Sequence, residues 1–214
     1  MIEHAFGIHD LAYFIGTGLL LNIMPGPDSL LIMTRSATQG WRAGSAAALG
    51  IGTGTFVHIL AAALGMSAVL ATSAAAFTVV KLLGAAYILY MAVSLLRSRK
   101  QDQATPLALP PLPHRKIFAQ GFLTNVLNPK VAIFFLALVP QFIDADAPNK
   151  ALAFIVLGCI FNVNGMLWCH LLAVSTAKAS ARIKPNATVS LWLNRVTGGL
   201  FVWLGVKLAM SKQS

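Results

Sequence analysis

Residues 11–34 form an apolar run flanked by Asp10 and Arg35, and Pro25, Gly26, Pro27 and Asp28 interrupt it. At 1.5 Å per helical residue the run is long enough to cross a hydrocarbon core of about 30 Å. Pro25 and Pro27 have no backbone N–H, so the carbonyls of Leu21 and Ile23 lose their usual helical partners, and each proline disfavours helical geometry in the residue before it. A carboxylate at membrane depth adds about 2.5 to 3.5 kcal/mol. Such a segment is tolerated where protein or a water-filled cavity, not lipid, surrounds it. The stretch GLLLNIMPGPD from Gly18 to Asp28 therefore predicts a broken, polar membrane helix, which makes it a candidate transport site.

The rest of the chain agrees. It is 57% hydrophobic and 10% charged, with a mean hydropathy of +0.74, whereas soluble domains carry about 25% charged residues. A net charge of +10 invites a nucleic-acid reading, but the basic residues cluster at the ends of apolar runs and make no single basic face, so no nucleic-acid partner is expected. The first ten residues hold Glu3 and Asp10 and no Lys or Arg, which argues against a cleaved signal peptide. Cys159 and Cys169 share one predicted helix about 15 Å apart, too far to bond with each other, and are expected to pack as small hydrophobes.

Six apolar segments are expected as membrane helices, over residues 11–34, 43–70, 75–96, 117–143, 151–177 and 190–210. The gaps after the first, third and fifth hold Arg35, Arg42, Arg97, Arg99, Lys100, Arg115, Lys116, Lys178, Arg182 and Lys184. These are ten of the sixteen basic residues, and the positive-inside rule puts those loops in the cytoplasm and both termini outside. A proline-rich linker, residues 101–116, separates a first three-helix unit, residues 1–100, from a second, residues 117–214. The units resemble each other: Gly18 aligns with Gly121, Asn22 with Asn125, Gly84 with Gly198 and Tyr87 with Phe201. An odd number of spans per unit makes the repeat inverted. The expected fold is thus all-α, a six-helix membrane protein of two inverted repeats, with a homodimer plausible because three-helix halves are thin walls for a path.

The fourth span repeats the break of the first. Asn128-Pro129-Lys130 reads as an N-cap with proline in the first helical position, and Pro129 frees the carbonyl of Asn125. A half-helix starting there points its N–H groups into the bundle, where an anionic group such as a carboxylate can bind. The freed carbonyls of the first break suit an ammonium group or a cation. The spans run in opposite directions, so Asp28, about 9 Å inward of Asn22, and Lys130, about 7.5 Å outward of Asn125, approach a common depth. An Asp28–Lys130 pair is the expectation. His58 and Asn164 are candidate path-lining residues. Asn162 and His170 are weaker ones, and Lys81, Arg195 and Lys207 are expected to snorkel. Gly44, Gly50, Gly52, Gly54 and Gly65 are expected to let the second helix pack closely.

The segments NIMPGPDSLLIMTRSATQGWRAG and FLTNVLNPKVAIFFLALVPQFI, with LGIGTGTFVH, LLGAAYILY and GGLFVWLGVKL, resemble the LysE/RhtB family of bacterial amino-acid exporters over essentially the whole chain. The resemblance implies an inner-membrane exporter of amino acids or close derivatives, driven by the proton gradient, with Pro25, Gly26, Pro27, Asp28, Asn128, Pro129 and Lys130 at functional positions and no cofactor. One departure, Ala92 in place of a glycine, bears on helix packing only. Two other classes stay open from the residues alone. A cation or metal-ion exporter or channel would be expected to carry more acids and histidines along the spans. A transmembrane thiol-disulfide protein would want cysteines facing each other at the breaks.

Overall fold

The computed structural model describes residues 6–68, 74–97, 110–180 and 187–210. Apolar helix-forming runs punctuated by glycine and proline give an all-α molecule: α1 Leu11–Ile23, α2 Pro27–Gln39, α3 Trp41–Ala61, α4 Ala74–Leu96, α5 His114–Val126, α6 Pro129–Ile133, α7 Lys150–Ser180 and α8 Ala187–Met210. A π-helical turn, Ala62–Met66, continues α3. Another, Phe134–Leu138, continues α6 into a 3-10 turn, Val139–Phe142. Among the described residues the sole extended pairing is a bridge of Ile8 with Ile143, which ties the N-terminal segment to the end of that turn.

Two helices, Trp41–Met66 and Lys150–Ala179, are long and apolar enough to cross a membrane. The broken pair α5–α6, bent by 46°, makes a third if it counts as one crossing. Shorter apolar helices cover Leu11–Ile23, Thr78–Ser94 and Phe201–Met210. With large side chains such as Leu64, Leu83, Leu127 and Leu167 exposed on their outer faces, these helices make a multi-pass membrane protein. The first span parts at Met24–Gly26, the break that its prolines predict, and α2 runs to Gln39, past the expected end at residue 34.

That extension changes the reading of Arg35. Expected in a basic loop, it lies inside α2 and is 3% exposed. Its guanidinium donates to Gln39 Oε1 at 3.2 Å, Pro110 O at 3.3 Å and Gln120 Oε1 at 2.9 Å, so the helix closes over it against neutral acceptors. Residues 101–109 of the expected linker lie outside the described residues. The end of the linker, from Pro110, runs along α2, and α5 begins at His114, inside the expected linker.

Glycine decides how the helices meet. Gly40 has φ +82°, a conformation side chains avoid, and makes the corner between α2 and α3. A Cβ at Gly50 would overlap the Phe118 carbonyl, and one at Gly121 would overlap the Ala47 carbonyl. Helices α3 and α5 therefore touch backbone to backbone, as the small residues of the second helix predict. Gly44, Gly52 and Gly54 also have close neighbours, whereas Gly65 has nothing within 4 Å. Helix α3 also packs on α2 and α7, while α4 and α8 pair with each other; α4 meets the Phe134–Leu138 turn and α8 meets Tyr13 of α1. Two apolar clusters result. A large one holds Phe14, Phe134, Phe135, Phe142, Phe154 and Phe161. A small one holds Ile32, Ala43, Ala47, Ala48, Ile51, Ile117 and Ala173, and the polar residues of both breaks lie between them.

Candidate functional site

The first break follows from its two prolines. Met24 N–H still reaches Leu20 O at 3.1 Å, but Pro25 has no N–H for Leu21 O, Gly26 is extended, and α2 restarts with Pro27 as its first residue. The second break has one proline and a cap of its own. Asn128 Oδ1 accepts from Lys130 N at 3.0 Å, and Val131 N and Ala132 N both reach Asn128 O at 3.1 Å. The start of α6 is thus satisfied by Asn128 itself. The expected anion site on its N–H groups is filled from within the chain.

Each break is held by side chains of the other. Asp28 Oδ2 accepts from Asn125 Nδ2 at 2.9 Å and from Asn128 Nδ2 at 3.0 Å. Lys130 Nζ donates to Leu21 O at 3.1 Å and Met24 O at 3.3 Å. The carbonyl freed by Pro25 therefore takes the chain's own ammonium. Among the described residues no ion pair within 4.0 Å joins Asp28 and Lys130, so the expected direct contact is not formed. The reason is geometric: the carboxylate meets two amides first and the ammonium meets two carbonyls first. Gly26 keeps room for this, since a Cβ there would lie 3.2 Å from Lys130 Nζ.

Helix α3 braces the second break from behind. Its Thr55 Oγ1 lies 3.3 Å from Asn125 Oδ1 and donates there or to Ile51 O at 3.1 Å. His58 Nε2 lies 2.9 Å from Asn125 O, the carbonyl that Pro129 frees. A carbonyl accepts, so that nitrogen carries the proton. His58 also stacks on Phe135 at 6.3 Å. With Oδ1 facing the hydroxyl, the amide of Asn125 presents its N–H to Asp28.

A cavity of about 30 Å³ opens at this crossing, lined by Asn22, Asp28, Thr55, Asn125, Lys130 and Asn162 among apolar neighbours that include Leu21, Phe161 and Met166. It has room for one or two waters and is too small for an amino acid. Two buried polar atoms on its lining residues have no hydrogen-bond partner, Asp28 Oδ1 and Asn22 Nδ2. One is an acceptor and the other a donor.

Of the predicted residues, Asn22, Asp28, Asn125 and Lys130 thus meet at one cavity. Asn128 and His58 stand behind its wall, and Pro25, Pro27 and Pro129 act through the backbone. Asn164 is not on the wall. Asn162 is, donating to Gly52 O at 3.2 Å, and two residues on a helix are about 200° apart, so both cannot face it. His170 bonds its own helix at Met166 O, 2.8 Å away. Lys207 Nζ lies 3.8 Å over the ring of Tyr13. Thr55 was not among the predicted residues; its spacing of one turn from His58 was the available signal.

The model of the LysE type translocator family matches residues 19–212. The chain belongs to the LysE type translocator family. It is 32% identical over 212 residues to the uncharacterized membrane protein YrhP of Bacillus subtilis (strain 168), covering 95% of this chain and 100% of that protein. It is 30% identical to the uncharacterized membrane protein PA4757 of Pseudomonas aeruginosa, covering 97% and 98%. A leucine efflux protein of Salmonella typhimurium (strain LT2) is 26% identical over 197 residues, 92% of each chain. No solved structure matches. As a LysE type translocator the protein is a membrane transporter and not an enzyme.

Proposed function

We propose that this translocator exports amino acids or close derivatives, such as neutral or hydroxy amino acids, homoserine or its lactone, across the bacterial inner membrane by proton antiport with alternating access. The observation that carries the reading is the pair of unpartnered atoms on the cavity. Asp28 Oδ1 accepts an ammonium and Asn22 Nδ2 donates to a carboxylate, which is what a zwitterion asks of a site. The carboxylate of Asp28 holds either a proton or an ammonium group, not both at full strength. Exchange of one for the other is antiport in its simplest form.

The small cavity is then an occluded state that opens to each side in turn. Asn22, Asp28, Asn125 and Lys130 bind the substrate, Asn128 and the residues Pro25, Gly26, Pro27 and Pro129 shape the breaks, and His58 holds the second break. The equal order of broken helix, long helix, long helix in residues 11–96 and 114–210 supports two inverted repeats of three spans. Basic loops then face the cytoplasm and the termini the periplasm. The efflux of leucine named for the Salmonella relative supports the substrate class.

The experiment is efflux from preloaded vesicles, with and without a proton gradient, across a panel of amino acids, beside growth protection of overexpressing cells against toxic analogues. Efflux that ignores the gradient would sink the antiport step. Absence of selective protection and of efflux across the whole panel would sink the exporter reading.

A further inference from the structure

The buried Arg35 has no part in the cavity, yet it is one of the most heavily bonded side chains in the molecule. It bridges three pieces of chain: Gln39 on its own helix, the Pro110 carbonyl at the end of the linker, and Gln120 on α5. Gln39 adds a two-way bond to the linker, donating from Nε2 to Leu112 O at 3.0 Å and accepting from Leu112 N at 3.1 Å. Among the described residues no carboxylate lies within 4.0 Å of Arg35. A buried cation held only by neutral acceptors is costly to keep, and such a feature asks for a reason beyond packing.

Position supplies one. Asp28, Ile32, Arg35 and Gln39 follow each other at helical spacings of four, three and four, so one face of α2 carries all of them. The first borders the cavity, the second is buried in the small apolar cluster, and the last two bond the linker and α5. The small cluster itself reaches from the cavity wall, where it includes Ile51 and touches Cys169, to the linker, where it includes Ile117 and touches Leu112. Next to it, at the linker, lies the bonded set around Arg35, in which Gln39 holds Leu112. The opposite side is filled by the phenylalanine-rich cluster.

We infer that Arg35, Gln39 and Gln120, closing on the backbone of residues 110–112, are the gate that seals the cavity from the face bearing the basic loops, with Ile32, Ile51 and Ile117 as the plug beneath it. Opening that side means swinging α2 away from α5 and residues 110–112, which breaks the bonds of Arg35 and Gln39 to Pro110, Leu112 and Gln120 and draws Asp28 away from Asn125 and Asn128 at the same time. Asp28 of the cavity and Arg35 and Gln39 of the gate thus move as one helix. An empty carboxylate and an occupied one then favour different positions of the gate.

The inference rests on the reading of the cavity as a transport site, and its test needs no transport. Cys169 lines the cavity, so in a Cys159→Ala background it reports access. A membrane-impermeant maleimide is added to the full-length protein in vesicles of each orientation, and the rate of Cys169 alkylation is followed. Gln39→Ala removes three bonds and Gln120→Ala one, and both leave Arg35 in place. Each is expected to raise the rate from the basic-loop face about tenfold and leave the rate from the opposite face unchanged. Arg35→Lys, which keeps the charge and loses the planar fork, is expected to do the same. Unchanged rates in both glutamine variants overturn the gate, and so does an equal rise from both faces, the mark of a loosened bundle. Efflux is measured alongside. Gate-dependent labelling without any efflux sinks the transport reading alone, and normal efflux with unchanged labelling sinks the gate alone.

Discussion

The two breaks solve the same problem with unequal means. At the second, Asn128 caps the new helix with its own side chain and carbonyl, and His58 and the Asn128 N–H share the carbonyl that Pro129 frees. At the first, Gly26 offers no side-chain cap, and the carbonyl that Pro25 frees is satisfied by Lys130 from the other half. The second break is complete within its own segment and its α3 brace, while the first borrows its partners. A structure that must move needs contacts it can exchange, and the first break is where those lie. Substitutions at the first break should therefore weigh on transport, and those at the second on stability as well.

The largest effect is expected at Asp28. Asp28→Asn keeps one oxygen for the N–H groups of Asn125 and Asn128, puts an N–H where the free Oδ1 stood and removes the charge that binds an ammonium. Loss of that charge and of the free acceptor implies a fall in efflux of about a hundredfold at normal protein levels. Efflux at the wild-type rate would remove Asp28 from the site. Lys130→Met comes next and should act on folding. It leaves Leu21 O and Met24 O buried without their donor, a cost of about 2 to 4 kcal/mol, read as a lower unfolding temperature in detergent. Because the two charges bond amides and carbonyls and not each other, the charge-swapped double variant Asp28→Lys with Lys130→Asp should not recover either property. Recovery would mean that a direct pair forms in another state of the cycle.

Asn128→Ala and Gly26→Ala then test the asymmetry itself. The first removes a helix cap, worth about 1 kcal/mol, and one of the bonds to Asp28, so stability and efflux should both drop. The second places a methyl 3.2 Å from Lys130 Nζ on a backbone that is extended, with φ −165°, a conformation open to any residue. Its cost in stability should stay below about 1 kcal/mol, while efflux falls several-fold because the ammonium must shift. Equal losses of stability in the two variants would show the breaks to be equivalent.

Both breaks were legible in the sequence because a proline's missing N–H is local chemistry: it frees one particular carbonyl whatever surrounds it. That Asp28 and Lys130 come to border one cavity followed from helical rise and the opposite directions of the two spans. Their partners did not, since whether a carboxylate meets an ammonium or two amides is decided by approaches of a few ångströms between distant segments. Arg35 was misread for a related reason. A basic residue after an apolar run is usually a loop, and only the carbonyls and amides of residues 110 to 120 make a buried place for it. Thr55 gave little signal, because a hydroxyl that can bond its own helix, as Thr53 does two residues before it, is silent until α5 lies against it.

The smallest contrast concerns the third wall of the cavity. Asn162 faces the breaks and bonds the Gly52 carbonyl of α3, so it both lines the cavity and ties α7 to the helix that braces the second break. Asn162→Ala should cost about 1 kcal/mol of stability and raise the substrate concentration needed for half-maximal efflux a few-fold. Asn164 lies about 200° around the same helix, off the cavity wall, so Asn164→Ala should stay within about 0.5 kcal/mol of the wild type with unchanged efflux. The two residues have the same side chain, helix and depth to within one turn, so the pair isolates the direction in which α7 faces. A reversed outcome, with efflux lost in the Asn164 variant and kept in the Asn162 variant, would place the path on the other face of α7 and leave the crossed breaks as a structural brace beside it.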